Sequence, residues 1–256
     1  MRAMRKAACM VVVMSMLAIS GAALLPMNTS ASDRAVASWT FMVYLDGDNN
    51  LEGYGIDDFL EMASVGSNPQ VSIVVQFDRS PLTGWTGGSS EYDDWRSTKR
   101  FLVESGDRPT SSYQISDLGE VNMGSQAALQ SFLEWGMNSY PANHYALVLW
   151  DHGGGWVYGV CSDDTSSGDS LLLPEIRQAI TGAQTSTGKT LDLVGFDACL
   201  MGMTEVAYEM KDLTDTVVFS EETEPGQGWA YDKILASLVA SPTMTSDQLG
   251  GVIVRE

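Results

Sequence analysis

Short apolar runs alternate with longer amphipathic ones along this chain. Trp39–Leu45 reads as a strand ending at Asp46, and Leu51–Val65 as a helix capped by Asn49 or Asn50. Val71–Phe77 is β-branched and apolar and stops at Asp78; residues 81–94 are rich in Gly and Ser and read as a loop. Ser97–Glu104 and Gln114–Leu118 suggest a short ribbon. Gly124–Tyr140 has helical spacing through Ala128, Leu129, Phe132, Leu133 and Trp135. Tyr145–Trp150 reads as a buried strand stopping at Asp151-His152, followed by a long polar loop over Gly153–Ser170. Leu171–Ala183 predicts a helix with Pro174 in its first turn. Leu191–Phe196 predicts a strand stopping at Asp197-Ala198-Cys199, and Leu200–Met210 a helix. Thr216–Phe219 reads as a strand ending at Ser220-Glu221, with helices near Ala230–Val239 and Ser246–Ile253.

Strands alternating with helices define an α/β domain, with a mostly parallel sheet covered by helices on both faces. Ligands of such sheets sit at the carboxyl ends of the strands. The residues to weigh are therefore Asp46, Asp78, Asp151, His152, Asp197, Cys199 and Glu221. The chain stops at Arg255-Glu256 inside a helical pattern, which fits a piece of a longer protein.

Residues 1–31 break the pattern. Arg2, Arg5 and Lys6 precede an apolar stretch from Ala7 to Leu25, and Thr29-Ser30-Ala31 offers small residues for cleavage. This is the layout of a signal peptide, with an uncleaved membrane anchor as the alternative. Either places residues 32–256, the folded domain, outside the cytoplasm, secreted or at the cell surface. A membrane is a partner only if the leader is uncleaved.

Charge narrows the partners. The 256-residue chain is 44% apolar, enough for a sizeable core, and carries 14 basic against 33 acidic side chains. Removing the leader with its three cations deepens the net charge from −19 to −22. Such a surface repels phosphate backbones, so nucleic acid is excluded as a partner. Three cysteines are too few for a disulfide framework, and Cys9 lies in the leader.

Of the two histidines, His144 sits in a polar turn before a strand and reads as a surface residue. His152 sits at a strand end in Asp151-His152-Gly153-Gly154-Gly155-Trp156, where glycines let a backbone approach a ligand closely. Cys199 ends the next apolar strand and, on the pattern, immediately precedes a helix whose N-terminal N–H groups would stabilise a thiolate. A thiol and an imidazole at one sheet edge suit covalent acyl transfer. Taken alone, Cys199 would read as a small buried hydrophobe.

These blocks make the chain recognisable. It resembles the clostripain family of cysteine peptidases, relatives of the caspases. The resemblance rests on Asp151–Trp156 and on Phe196-Asp197-Ala198-Cys199-Leu200-Met201-Gly202, with support from Met42–Leu45, Gly47–Glu52 and Glu224–Trp229. It implies a caspase-like fold and a His152/Cys199 dyad. It further implies an oxyanion hole from the backbone N–H groups of Gly153 and Cys199, and cleavage of polypeptides after Arg or Lys. Asp197 would lie at the base of the pocket for that side chain, with Glu221 or Glu222 adding charge. The alternatives are a catalytically inactive surface binding module of the same fold, and a thiol transpeptidase.

The chemistry requires no cofactor, and calcium is left open. Asp46, Asp48 and Asn50 have the alternate spacing of a calcium loop, but Leu51 stands where such a loop needs Gly. Asp163, Asp164 and Asp169 form a second acidic group, and zinc-ligand spacing is absent. Many relatives are processed at a basic residue in the loop after the histidine. Residues 159–170 contain no Lys or Arg, and the next basic residue is Arg177, so no cut is expected there. Cys161 reads as a loop thiol or a partner for Cys199.

Overall fold

A computed structural model describes residues 36–80 and 89–256. The leader at 1–31 and most of the 81–94 loop lie outside the described residues. No helix among the described residues is long and apolar enough to cross a membrane.

A seven-stranded sheet forms the centre. Its strands are β1 (Ala37–Gly47), β2 (Val71–Arg79), β3 (Thr98–Leu102), β4 (Ser116–Asp117), β5 (Ala142–Trp150), β8 (Leu193–Asp197) and β9 (Thr216–Val218), in the order β4-β3-β2-β1-β5-β8-β9. The five strands from β2 to β9 run parallel, and β3 and β4 are antiparallel additions at one edge. A two-stranded hairpin, β6 (Val160–Asp163) and β7 (Asp169–Leu171), stands apart from it.

The pleat divides β1 between two layers. Trp39, Phe41, Val43 and Leu45 pack with α1 (Glu52–Val65), α6 (Tyr231–Ala240) and α7 (Ser246–Arg255). Met42 and Tyr44 pack with α2 (Gln126–Ser139), α4 (Leu173–Thr187) and α5 (Thr204–Met210). Gly136 lets α2 lie close on the sheet, since a Cβ there would sit 2.7 Å from Met42 Sδ. The fold is the mostly parallel, helix-covered sheet that the pattern predicts.

Register aligns the polar strand ends. Asp46 of β1 pairs with Asp78 of β2, Leu45 with Trp150, and Trp150 with Asp197. Acids therefore terminate four consecutive strands along one edge. Two expectations need correcting. The supposed loop 153–170 is folded, holding a one-turn helix α3 (Gly155–Tyr158) and the β6–β7 hairpin. The helix expected directly after Cys199 starts only at Thr204. Leu200 at φ 63° turns the chain away first, so no helix N-terminus meets the thiol.

Candidate active site

His152 follows β5 and Cys199 follows β8, which are adjacent parallel strands. Both side chains line one cleft of about 220 Å³, together with Leu51, Trp150, Asp197 and Glu224. Strand order thus joins two residues 47 positions apart in the chain.

His152 is held from β1. Its Nε2 lies 2.8 Å from Asn50 Oδ1, to which it donates its hydrogen. That bond leaves Nδ1 as the lone-pair nitrogen of a neutral ring. Partial burial of the ring lowers its pKa, and the charge of Asp164 opposes the shift. A neutral ring is the form that can accept a thiol proton. Asp151 is anchored too: Asn49 Nδ2 donates to its Oδ1 at 2.7 Å and the Ser162 N–H to its Oδ2 at 2.5 Å.

Cys199 is half-buried and unpaired, and its Sγ accepts the Glu224 N–H at 3.3 Å. Cys161 is also free, fully buried, with its thiol 3.9 Å from the Trp150 carbonyl. The two cysteines are not bonded.

The backbone beside Cys199 requires glycine at 153. A Cβ on Gly153 would lie 2.2 Å from the Cys199 carbonyl oxygen and 3.0 Å from its nitrogen. The two peptide units to which the family resemblance assigns oxyanion binding therefore pack directly against each other.

Two acids share the cleft with the thiol, Asp197 and Glu224. Asp197 is 4% exposed, and its Oδ2 accepts the Tyr231 hydroxyl at 2.9 Å and the Trp229 N–H at 3.2 Å. Trp229 Nε1 approaches Glu224 Oε1 at 3.4 Å, while Glu224 Oε2 is buried without a partner. Burial and the neighbouring Glu224 push the Asp197 carboxyl well above its ordinary range. Burial also raises Glu224. Two carboxyl groups this close share protons until a cation separates their charges. Among the described residues, no salt bridge reaches either one.

A third acid adjoins them. Asp58 of α1 is 1% exposed and accepts the Trp150 indole N–H at 2.6 Å. Burial, then the charge of Asp197, pushes it up to about 9. Gly228, at φ 60°, covers both: a Cβ there would lie 2.9 Å from Asp197 Oδ2 and 3.1 Å from Asp58 Oδ2.

Of the residues singled out from sequence, His152, Cys199 and Asp197 share the cleft. Glu221 does not; it is exposed, and Glu224 occupies the place expected of it. Asn50 joins no acidic group but holds the imidazole. His144 pairs with Asp192 at 2.7 Å and stacks on Trp39. Trp229 borders the acidic recess, whereas Trp156 is exposed and lines a neighbouring groove. Asp58 was detectable in principle. It lies on the same helical face as Gly55, Phe59 and Met62, all buried, and an acid on an apolar face has a reason to be there.

A thiol and an imidazole at adjacent strand ends of this sheet, in one cleft with buried acids, fit the cysteine peptidase class with a caspase-like fold. The clostripain family model matches residues 43–256, and the chain belongs to that family. It is 29% identical over 266 residues to clostripain of Hathewaya histolytica, covering 85% of this chain and 49% of that protein. It thus spans about half the length of that relative. Among solved structures, a secreted C11 cysteine protease from Bacteroides thetaiotaomicron, in complex with an irreversible peptide inhibitor, superposes with a TM-score of 0.64 at 24% identity, covering 85% of this chain and 57% of that one. An inactive zymogen C11 protease from Parabacteroides distasonis gives 0.60 at 22% identity, with 80% and 54% covered.

Proposed function

We propose that the protein is an exported cysteine endopeptidase cleaving after Arg or Lys. One observation carries the reading. Asp197 and Glu224 line the same cleft as Cys199, and their carboxyl groups lack a cationic partner among the described residues. A substrate guanidinium or ammonium would supply the missing charge in charge-assisted hydrogen bonds. The basic-then-apolar order of residues 1–31 supports export.

The chemistry follows from the placement. Nδ1 of His152 takes the thiol proton, and Sγ of Cys199 attacks the carbonyl carbon after the basic residue. The N–H groups of Gly153 and Cys199 receive the developing oxyanion. His152 then gives its proton to the leaving amine. It next takes a proton from water, which attacks the thioester and releases the acid and the free thiol. Asn50 keeps the imidazole in one tautomer throughout.

The test uses fluorogenic peptides ending in Arg, Lys, Asp or Leu, under reducing conditions, with Cys199→Ala in parallel. Cleavage after Arg or Lys that vanishes in Cys199→Ala is expected. Cleavage after Asp or Leu would overturn the pocket assignment. A folded protein that cleaves none of the four would overturn the peptidase reading.

A further inference from the structure

Three large apolar side chains in succession face water just past the glycine run. Trp156, Val157 and Tyr158 fill the one-turn helix α3, and all three are exposed. Trp156 is the only exposed tryptophan among the described residues. Tyr208 of α5 is exposed as well, at 71%. Trp156 and Tyr208 line one groove of about 470 Å³ with Leu173 and Pro174 of α4, and Glu205 and Glu209 also border it. Large apolar side chains gathered in water mark a surface that another molecule covers.

The groove continues from the catalytic cleft along the backbone. Gly153 packs on the Cys199 peptide unit. Gly155, at φ 63°, packs on the next segment: a Cβ there would lie 3.2 Å from the Leu200 carbonyl oxygen and 2.7 Å from Met203 Sδ. Only glycine combines that conformation with that approach. Two close contacts thus lead from the nucleophile to the start of α5, and Trp156 follows at once. Three residues separate Trp156 from Gly153, a span of at most about 11 Å. An extended substrate advances about 3.3 Å per residue, so its second or third residue past the cleaved bond comes level with the groove.

The two faces of the sheet divide the substrate. The acids of the cleft belong to the α1/α6 face, where Asp197 accepts the Tyr231 hydroxyl of α6 and adjoins Asp58 of α1. The groove belongs to the opposite face, where Leu173 of α4 and Val206 of α5 join the other core layer. Cys199, at the end of β8, stands at the sheet edge between them. With the basic side chain held on the first face, the chain beyond the cleaved bond departs across the second.

We propose that the groove between Trp156 and Tyr208 is a subsite for a large apolar side chain, two or three residues after the cleaved bond. The inference deepens the peptidase reading and rests on it. Aromatic walls with Leu173 and Pro174 beside them suit an aromatic or branched aliphatic group, which is removed from water as it enters. Glu205 and Glu209 repel an acidic one.

The test uses internally quenched peptides with Arg before the cleaved bond and Phe, Leu, Gly or Lys at the second and third positions after it. The full chain cuts them under reducing conditions. A fluorogenic amide ending in Arg, with no residue beyond the bond, is run alongside. The kcat/KM of the Phe peptide should exceed that of the Gly peptide about tenfold or more, with Leu close behind Phe. Trp156→Ala and Tyr208→Ala should each bring that ratio below about threefold, while Trp156→Phe preserves it. Val254→Ala, at an exposed apolar position on α7, should leave the ratio unchanged. Each ratio is read within one preparation, so a loss of folded enzyme cancels. A parent ratio near one, with the amide cleaved, overturns the subsite and leaves the peptidase reading standing. The same result is expected if a second copy or another segment of this chain fills the groove. Lys preferred over Phe overturns the apolar assignment. A high ratio that survives in both Trp156→Ala and Tyr208→Ala assigns the preference to another surface and overturns the proposal too. A folded protein that cuts neither the amide nor any peptide overturns both readings.

Discussion

Asn50 and His152, one on the loop after β1 and the other after β5, meet at 2.8 Å through Oδ1 and Nε2. The amide accepts the ring hydrogen, so Nδ1 is the nitrogen left with a free lone pair. Asn50→Ala should lower kcat by about ten- to a hundredfold with little change in KM, because the residue touches the imidazole and not the substrate. Asn50→Asp should keep the geometry but add a negative charge, which favours imidazolium. The histidine pKa then rises, and the acid limb of kcat/KM moves to higher pH. A pH profile superposable on the parent's would sink this role for Asn50.

Glu224 and Glu221 separate the pocket from its surroundings. Glu224 lines the recess beside Asp197, whereas Glu221 is exposed. A charge-assisted hydrogen bond contributes about 1.5–3 kcal/mol, so Glu224→Gln should cut kcat/KM for Arg and Lys peptides by roughly ten- to a hundredfold. Glu221→Gln should change it less than about twofold. Steady-state kinetics on the two variants distinguish the assignments, and equal losses in both would refute the present one.

Much of this was legible in the chain, for identifiable reasons. The five parallel strands are apolar runs ending on polar residues, and that pattern locates His152, Asp197 and Cys199 at strand ends before any coordinates. Local pattern failed where tertiary contacts decide. Leu200 is apolar and fits a helix, but the chain there is diverted to place the Leu200 and Gly202 N–H groups on the Glu222 and Ser220 carbonyls. Hydropathy cannot rank Glu221 against Glu224, because three residues along a loop reverse which one faces the recess.

Asp58 makes a prediction about stability against pH. Its folded pKa is raised to about 9 from an ordinary 3.8. Between those values the native state holds a proton that the unfolded chain has lost, so stability from this group falls as pH rises through that window. Asp58→Asn keeps an acceptor for the Trp150 indole and removes the titration. Its thermal midpoint should match the parent's near pH 4 and exceed it by at least about 2 °C at pH 8. A gap that shrinks as pH rises would contradict the burial argument.

Gly153 tests the oxyanion geometry. A methyl group there would collide with the Cys199 backbone at 2.2 Å, and neither peptide unit can yield without moving the nucleophile. Gly153→Ala should lower kcat by at least about a hundredfold, the scale of losing an oxyanion donor. Gly53, inside α1, has nothing within 4 Å of its Cβ position, so Gly53→Ala should retain activity and gain helix stability of about 1 kcal/mol. Comparable kcat values for Gly153→Ala and Gly53→Ala would remove the backbone of residue 153 from the reaction.

Processing provides the last test. Residues 159–170 offer no Lys or Arg to an enzyme of the proposed specificity. Fold adds a second barrier. Val160, Cys161 and Asp163 are buried there, and Asp163 accepts the Met123 and Ser166 N–H groups at 2.9 and 2.7 Å. A peptidase needs an extended, accessible strand in its cleft, and opening this hairpin would strip those bonds from a buried carboxyl group. Active protein should therefore remain uncut within 159–170, with any activating cleavage falling elsewhere. Intact-mass measurement of the active form decides it: two fragments whose junction maps to 159–170 would show that the hairpin opens, and that an enzyme of another specificity cuts it.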